Sequence, residues 1–438
     1  MRQAPVADRP EAASFDTLGL VEPLVRATHA LGWRTPTPIQ QQAIGAIADG
    51  HDVLGSAQTG SGKTAAYGLA LLQRLQAQPP RTPRRVRALV LLPTRELAAQ
   101  VGEVLRRLGQ YLAAPLKTAV VFGGVSINPQ MMGLRGGADI VVATPGRLLD
   151  LLDHNALGLA QLEVLVLDEA DRLLELGFAA ELERILALLP AQRQSLFFSA
   201  TFDNAVDALA HRLLRAPLRI AAPATPSAAA PIVQRAIEVD AAQRTPLLRH
   251  LIAQHGWSRV LVFVATKYAC ERVAEKLYKA GIFATPFHGD LSQGARAQVL
   301  DEFKDERWEV VVTTDLAARG LDIAQLPVVV NYDLPRSPTD YVHRIGLTGR
   351  AGHSGLALSF VTAASAAHFA LIERRQQLSL PREQIAGFVP RETAPAASAD
   401  GAPAGSGGIK GKRPSKKDKL RAAAQMAGAS GAALRPPR

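Results

Sequence analysis

The stretch SAQTGSGKT, residues 56–64, has the residue types and spacing to hold a chain of phosphates. Gly60 and Gly62 free backbone N–H groups to close around an anion, and the helical pattern AAYGLALLQRL that follows would aim its N-terminus at the same charge. Lys63 is placed to reach terminal phosphates, and the Thr64 hydroxyl to ligate magnesium. The loop departs from the general G-x-x-x-x-G-K-[ST] pattern at its first position, which is Ala57; Gln58, Thr59 and Ser61 complete it. A second feature, Asp168-Glu169, ends the apolar run VLVL. One carboxylate there can hold magnesium through water while its neighbour orients or deprotonates an attacking water. Alone, the pair could be an acidic helix start, where carboxylates suit the dipole. Downstream of a phosphate loop, it points to nucleoside triphosphate hydrolysis.

Such residues need a scaffold, and the chain supplies one in duplicate. Short aliphatic runs alternate with longer helical patterns: ALVLLP, TAVVFGG, ADIVVATPG, VLVLDEAD and SLFFSAT, then RVLVFVATK, FATPFHGD, EVVVTTD, LPVVVNYDLP and LALSFVT. Continuous apolar strands separated by helices predict parallel sheets covered on both faces. Nearly every run ends in small or polar residues, and open parallel sheets bind ligands outside the carboxyl ends of their strands. The expectation is an α/β protein with a domain at 15–221, a Pro/Ala linker at 222–231 and a second domain at 232–390. A loose extension (1–14) and a disordered basic tail (391–438) flank them.

The 438 residues are 47% hydrophobic and 20% charged, which excludes wholesale disorder. No apolar run approaches the ~18 residues of a membrane helix, MRQAPVADRP has no signal-peptide core, and one cysteine, Cys270, excludes a disulfide framework. These features predict a soluble, cytoplasmic protein without membrane partners. Of the net charge of +11, +7 falls in residues 391–438. Basicity is therefore a weak argument for nucleic-acid binding by the body of the protein.

The motifs TPTPIQ (35–40), AQTGSGKT (57–64), PTRELA (93–98), GG (123–124), TPGR (144–147), DEAD (168–171), SAT (199–201), VFVAT (262–266), ARGLD (318–322) and HRIGLTGR (343–350) resemble, in order and spacing, those of the DEAD-box RNA helicases. The resemblance spans roughly residues 15–365, and HGDLSQGAR and SLFFSAT look most like the bacterial RhlE-like branch. It implies two tandem RecA-like domains, ATP and Mg2+ as cofactors, and RNA as partner. Gln40 would read adenine and Phe15 stack on it; the lesser alternative for Phe15 is a core aromatic anchoring the first helix. Asp171, bonded to Ser199 and Thr201, would couple the nucleotide and RNA sites. From the second domain, Asp322 would contact the nucleotide, Arg350 would act as an arginine finger, and His343 and Arg344 would help dock the domains. RNA would be gripped by Thr94, Arg95, Gly123, Gly124, Thr144 and Arg147, then by Thr266, Gln293, Arg296, Thr314 and Asp315. Such backbone contacts carry little sequence information.

The family usually has arginine where this chain has Leu347. A neutral residue removes one cation from the γ-phosphate shell, which implies slow turnover. The expected activity is RNA-stimulated ATP hydrolysis coupled to local duplex unwinding. The alternative is an ATP-gated RNA clamp or annealing chaperone. Ribosomal particles and RNA-decay machinery are candidate partners of a monomeric core.

Overall fold

The computed structural model describes residues 14–56, 61–78, 82–221, 232–318, 326–349 and 354–392. Runs such as VLVL, IVVA and VVVT leave no polar face, so each can be stable only between two helical layers. Seven of these strands form a first parallel sheet: β1 Val53–Ser56, β2 Ala88–Leu91, β3 Thr118–Val121, β4 Ile140–Ala143, β5 Val164–Leu167, β6 Gln194–Ser199 and β7 Leu218–Ala221. Seven more form a second: β8 Ile232–Glu238, β9 Val260–Phe263, β10 Ala284–Phe287, β11 Val310–Thr313, β12 Val328–Asn331, β13 Gly355–Val361 and β14 Arg382–Glu383. The orders are β3-β4-β2-β5-β6-β1-β7 and β10-β11-β9-β12-β13-β8-β14. Each strand of the second sheet thus occupies the place of the strand seven earlier. The two lobes are one topology used twice, and both are RecA-like.

Alternating side chains divide each strand between two cores. Val53, Val90, Val142, Val166 and Phe198 face one side of the first sheet, while Leu54, Leu89, Val141, Leu165 and Phe197 face the other. In the second, Val260, Val312 and Val330 oppose Leu261, Val311 and Val329.

β7, β8 and β14 were not legible in the apolar runs. β7 keeps only Ile220 buried, β8 carries Gln234 and Arg235 among its residues, and β14 is two residues long. Positions at or next to a sheet edge need no continuous apolar run. The second lobe also continues past its expected end. The backbone N–H groups of Arg391 and Glu392 donate to the Asp240 carboxylate at 2.9–3.0 Å.

Candidate nucleotide and RNA site

The crossover helix Lys63–Gln76 follows β1 with Gly62 as its N-cap, at φ +93°. That left-handed backbone suits glycine. A side chain there would also collide with Gln40 Nε2 and stand 2.9 Å from Thr37 Oγ1. Both residues brace the loop: Thr37 Oγ1 donates to Ser61 O at 2.8 Å and Gln40 Nε2 donates to Gly62 O at 3.1 Å. Gln40 Oε1 in turn accepts the Thr37 N–H at 2.8 Å, closing a capping box on helix Pro38–Ala48. Gln40 is thereby fixed beside the phosphate loop. Ala57, Gln58, Thr59 and Gly60 lie outside the described residues.

The acidic pair stands at the end of β5, a strand that lies two places from β1. Asp168 is buried, with Oδ1 3.8 Å from Lys63 Nζ and accepting the Glu169 N–H at 2.9 Å. Its Oδ2 accepts the hydroxyl of Tyr67 at 3.1 Å. Glu169 occupies the left-handed region at φ +52°, a conformation that costs a non-glycine residue about 1–3 kcal/mol and clusters at functional sites. Burial, with the Asp168 charge adding to it, pushes its carboxyl up to about 7 against the pull of Lys63. A carboxylate so tuned is poised to take a proton from water near neutral pH.

Magnesium fits this donor set in a particular way. Among the described residues no three His, Cys, Asp or Glu side chains converge on a metal-sized site. Magnesium does not require such a cage, since it commonly takes one or two protein oxygens plus substrate phosphates. Thr64 and Asp168 supply hard oxygens beside Lys63, and when bound the ion would neutralise phosphate charge.

Asp171 accepts both the N–H and the hydroxyl of Thr201, at 3.1 and 3.0 Å, tying the end of β5 to the end of β6. Ser199 departs from expectation: it is fully buried and its hydroxyl donates to Thr201 O at 2.7 Å, so it stiffens the turn that presents Thr201. Phe15 also departs. Its ring is 0% exposed among Leu24, Ile39 and Tyr67 in the first core, which makes it a packing residue with no face open to a base. Trp33, only partly buried in the loop leading to Gln40, does keep accessible ring surface.

The strand ends expected to hold RNA divide into caps and charges. Thr94 caps helix Arg95–Gly109 by accepting the Leu97 N–H at 3.3 Å; Thr266 caps helix Lys267–Tyr278 by accepting the Ala269 N–H at 3.1 Å. Arg95 lies against the backbone of Gly124, which sits at φ +77°, while Gly123 opens to free space. Thr144 begins helix Pro145–Asp153. Arg147, on that helix, donates one N–H to Val125 O at 2.7 Å and leaves Nη1 buried with no hydrogen-bond partner. Thr314 is half-buried at the end of β11.

Four expected site residues of the second lobe are engaged within the protein. Arg296 is buried and donates to Glu96 Oε1 at 2.9 Å, and Gln293 Nε2 reaches the same oxygen at 3.5 Å. These residues bridge the lobes. Asp315 accepts a two-pronged contact from Arg344, Nε to Oδ1 at 2.6 Å and Nη2 to Oδ2 at 2.8 Å. This pair ties the end of β11 to the helix Pro338–Ile345. Arg344 further donates to Asn331 Oδ1 and Asp333 O, so its bonds stay inside the second lobe and do not dock it on the first. His343, half-buried, lies on the same helix, and Leu347 packs against the core around Phe263 and Phe287. A further contact between lobes joins Arg172 Nη1 to Asp340 Oδ1 at 3.4 Å. Asp322 and Arg350 lie outside the described residues.

Sequence reasoning missed Glu96, Arg172 and Tyr67. Tyr67 carried a usable signal: it lies three residues after Thr64, on the same helix face. The two bridging residues carried none, because their partners lie more than a hundred residues away.

Known proteins share this arrangement. A family model described as DEAD/DEAH box helicase matches residues 37–209, and one described as helicase conserved C-terminal domain matches 243–352. The chain is 43% identical over 368 residues to the ATP-dependent RNA helicase DbpA of Escherichia coli (strain K12), covering 84% of this chain and 79% of that protein. It is 39% identical over 385 residues to the ATP-dependent rRNA helicase rrp3 of Sclerotinia sclerotiorum, covering 86% and 79%. The structure of S. cerevisiae Dbp5 bound to RNA and ADP BeF3 superposes with a TM-score of 0.74 at 29% identity, covering 85% of this chain and 95% of that one. Mss116p bound to ssRNA and AMP-PNP gives 0.77 at 26% identity, covering 87% and 81%. With both halves of the fold, the motif order and relatives matched over most of this chain in agreement, the chain belongs to the DEAD-box ATP-dependent RNA helicases.

Proposed function

We propose that this protein hydrolyses ATP when RNA brings its lobes together, and uses the cycle to open short duplexes without strong sequence preference. One observation carries the reading. Lys63, Asp168, the strained Glu169 and the Asp171–Thr201 bridge stand together at the carboxyl ends of one sheet, beside a second lobe of the same topology. In this reading Lys63 and the loop hold the phosphates. Gln40 and Trp33 face the base, and Glu169 accepts the proton of the attacking water. Asp322 and Arg350 complete the shell from the second lobe.

RNA enters through its backbone. The Thr94 and Thr266 hydroxyls each accept an N–H and keep their own proton for a phosphate oxygen. The unsatisfied Nη1 of Arg147 supports a phosphate at that position, because a buried guanidinium nitrogen without a partner costs about 1–3 kcal/mol. Arg95, Gly123, Gly124, Thr144 and Thr314 extend the track. None of these groups reads a base edge, which is the physical ground for weak sequence preference. The candidate pathways are those of the relatives' names, ribosomal RNA included.

A second reading, an ATP-gated clamp, is favoured by Leu347, whose apolar side chain is partly taken up by the second core. Multiple-turnover release of a short labelled strand separates the two. A helicase requires ATP for repeated release. Equal release with a non-hydrolysable analogue would leave only the clamp.

A further inference from the structure

Tyr67 is an unusual residue to find beneath a phosphate loop. Its ring is fully buried in the first core, leaning on Phe198 with centroids 5.6 Å apart and planes tilted by 39°. Phe198 in turn lies over Gly55 of β1, where any side chain would collide with it. The ring is therefore clamped between the strand that enters the phosphate loop and the helix that leaves it. Its hydroxyl donates to Asp168 Oδ2 at 3.1 Å and lies near Thr64, one helical turn before it.

The proton directions follow from chemistry. A phenol has one proton, and an ionised carboxylate only accepts, so the Tyr67 proton goes to Asp168. Tyr67 Oη keeps its lone pairs, which can accept the proton of the neighbouring Thr64 hydroxyl. We infer that Tyr67 is a positioning residue for the magnesium site, relaying Thr64 Oγ1–H to its own oxygen and its own O–H to Asp168. This inference rests on the proposed reading of the nucleotide site. A threonine hydroxyl that ligates a cation must point its proton elsewhere, and the phenol gives that proton a fixed destination. The same bond holds Asp168 Oδ2, leaving each carboxylate oxygen a lone pair for the cation or its waters. Partners of this kind orient metal ligands, and removing one typically lowers metal affinity by about 10–100-fold.

The bland account is a core tyrosine whose hydroxyl found nearby acceptors. The two accounts differ in what Tyr67→Phe does, since that substitution keeps the ring and removes only the relay. Equilibrium binding of a fluorescent ADP analogue to the full chain is titrated with Mg2+, and separately measured in EDTA, alongside thermal unfolding. The relay predicts that the Mg2+ concentration for half-maximal enhancement rises about 10-fold or more, while affinity in EDTA stays within about twofold of wild type. An unchanged Mg2+ midpoint overturns the relay, whatever happens to the melting temperature. Equal weakening in EDTA and in Mg2+ also overturns it, because loop packing alone would do that. Should the wild type show no Mg2+ enhancement, the reading of the site itself falls, an outcome distinct from failure of the relay.

Discussion

The first and second lobes share one strand order, yet they use equivalent strand ends differently. After β2 and after β9 the same device recurs, a threonine that caps the next helix through the N–H three residues on. After β5 and after β12 the devices diverge. The first lobe holds Asp168 and Glu169 beside Lys63. The second holds Asp333, which pairs with Arg244 and accepts the Ala265 N–H at 2.8 Å. After β1 runs the phosphate loop; after β8 stands Asp240, whose carboxylate ties down Arg391 and Glu392. The lobes thus share the capping threonines and differ in the acidic pair beside Lys63.

The largest effect should come from the group that makes the lobes unlike. Glu169→Gln is expected to lower single-turnover ATP hydrolysis by about 10²–10⁴-fold, with ATP and RNA affinity retained; a loss under tenfold would remove Glu169 as the base. Its raised carboxyl sets a pH dependence. Hydrolysis should climb roughly tenfold per unit as pH rises toward about 7 and then level off. Stability moves the other way. Glu169 holds its proton more tightly folded than unfolded, so its contribution declines as pH rises from about 4.5 to about 7 and is constant above. Glu169→Gln should therefore unfold at a higher temperature than wild type at pH 8, by up to about 3 kcal/mol, and show little gain at pH 4.5.

Next in size is the bridge between lobes. Glu96→Ala leaves Arg296 buried without its charge partner, a change worth about 3–5 kcal/mol in a rigid core. Here the lobes can part and let water in. The cost should appear as a closed fraction reduced by about 10-fold or more, read by fluorescence transfer between labels on the two lobes, with each lobe still folded. A Glu96→Arg/Arg296→Glu pair that restores closure would fix the interaction as the cause.

Leu347→Arg should raise RNA-stimulated kcat by about 10-fold, the worth of one charged hydrogen bond gained in the transition state. No gain in kcat would show that turnover does not wait on that position. The smallest effects test what the lobes share. Thr94→Ala and Thr266→Ala should each destabilise by about 1 kcal/mol and weaken RNA binding to similar degrees. Unequal effects on RNA would break the symmetry of the grip.

Much of the site was readable because its motifs are local. The loop through Thr64, the pair Asp168-Glu169 and the strand-end residues Thr94 and Thr266 lie within a few residues of the strand or helix that presents them. The resemblance implies that Phe15 stacks on a base, whereas it is buried in the first core; a burial question turns on what packs around a ring. Asp315 and Arg344 could not be paired, because the helix that brings them together folds back across 29 residues. The contacts of Gln293 and Arg296 with Glu96 on the other lobe could not be read, because that partner lies about 200 residues away.

The amino-acid order by itself determined the duplicated α/β plan and the place of the chemistry. Apolar runs of strand length admit little else than buried parallel sheets, and phosphate loops need glycine and lysine at close spacing. It also showed that the excess charge of +11 lies mostly in residues 391–438, so the catalytic body had to earn its polyanion by geometry. Tertiary structure decided the rest. Whether a side chain is ligand, cap or packing depends on partners distant in sequence. The Tyr67–Asp168 bond, the Glu96–Arg296 bridge and the raised carboxyl of Glu169 exist only once burial and close approach set the local dielectric.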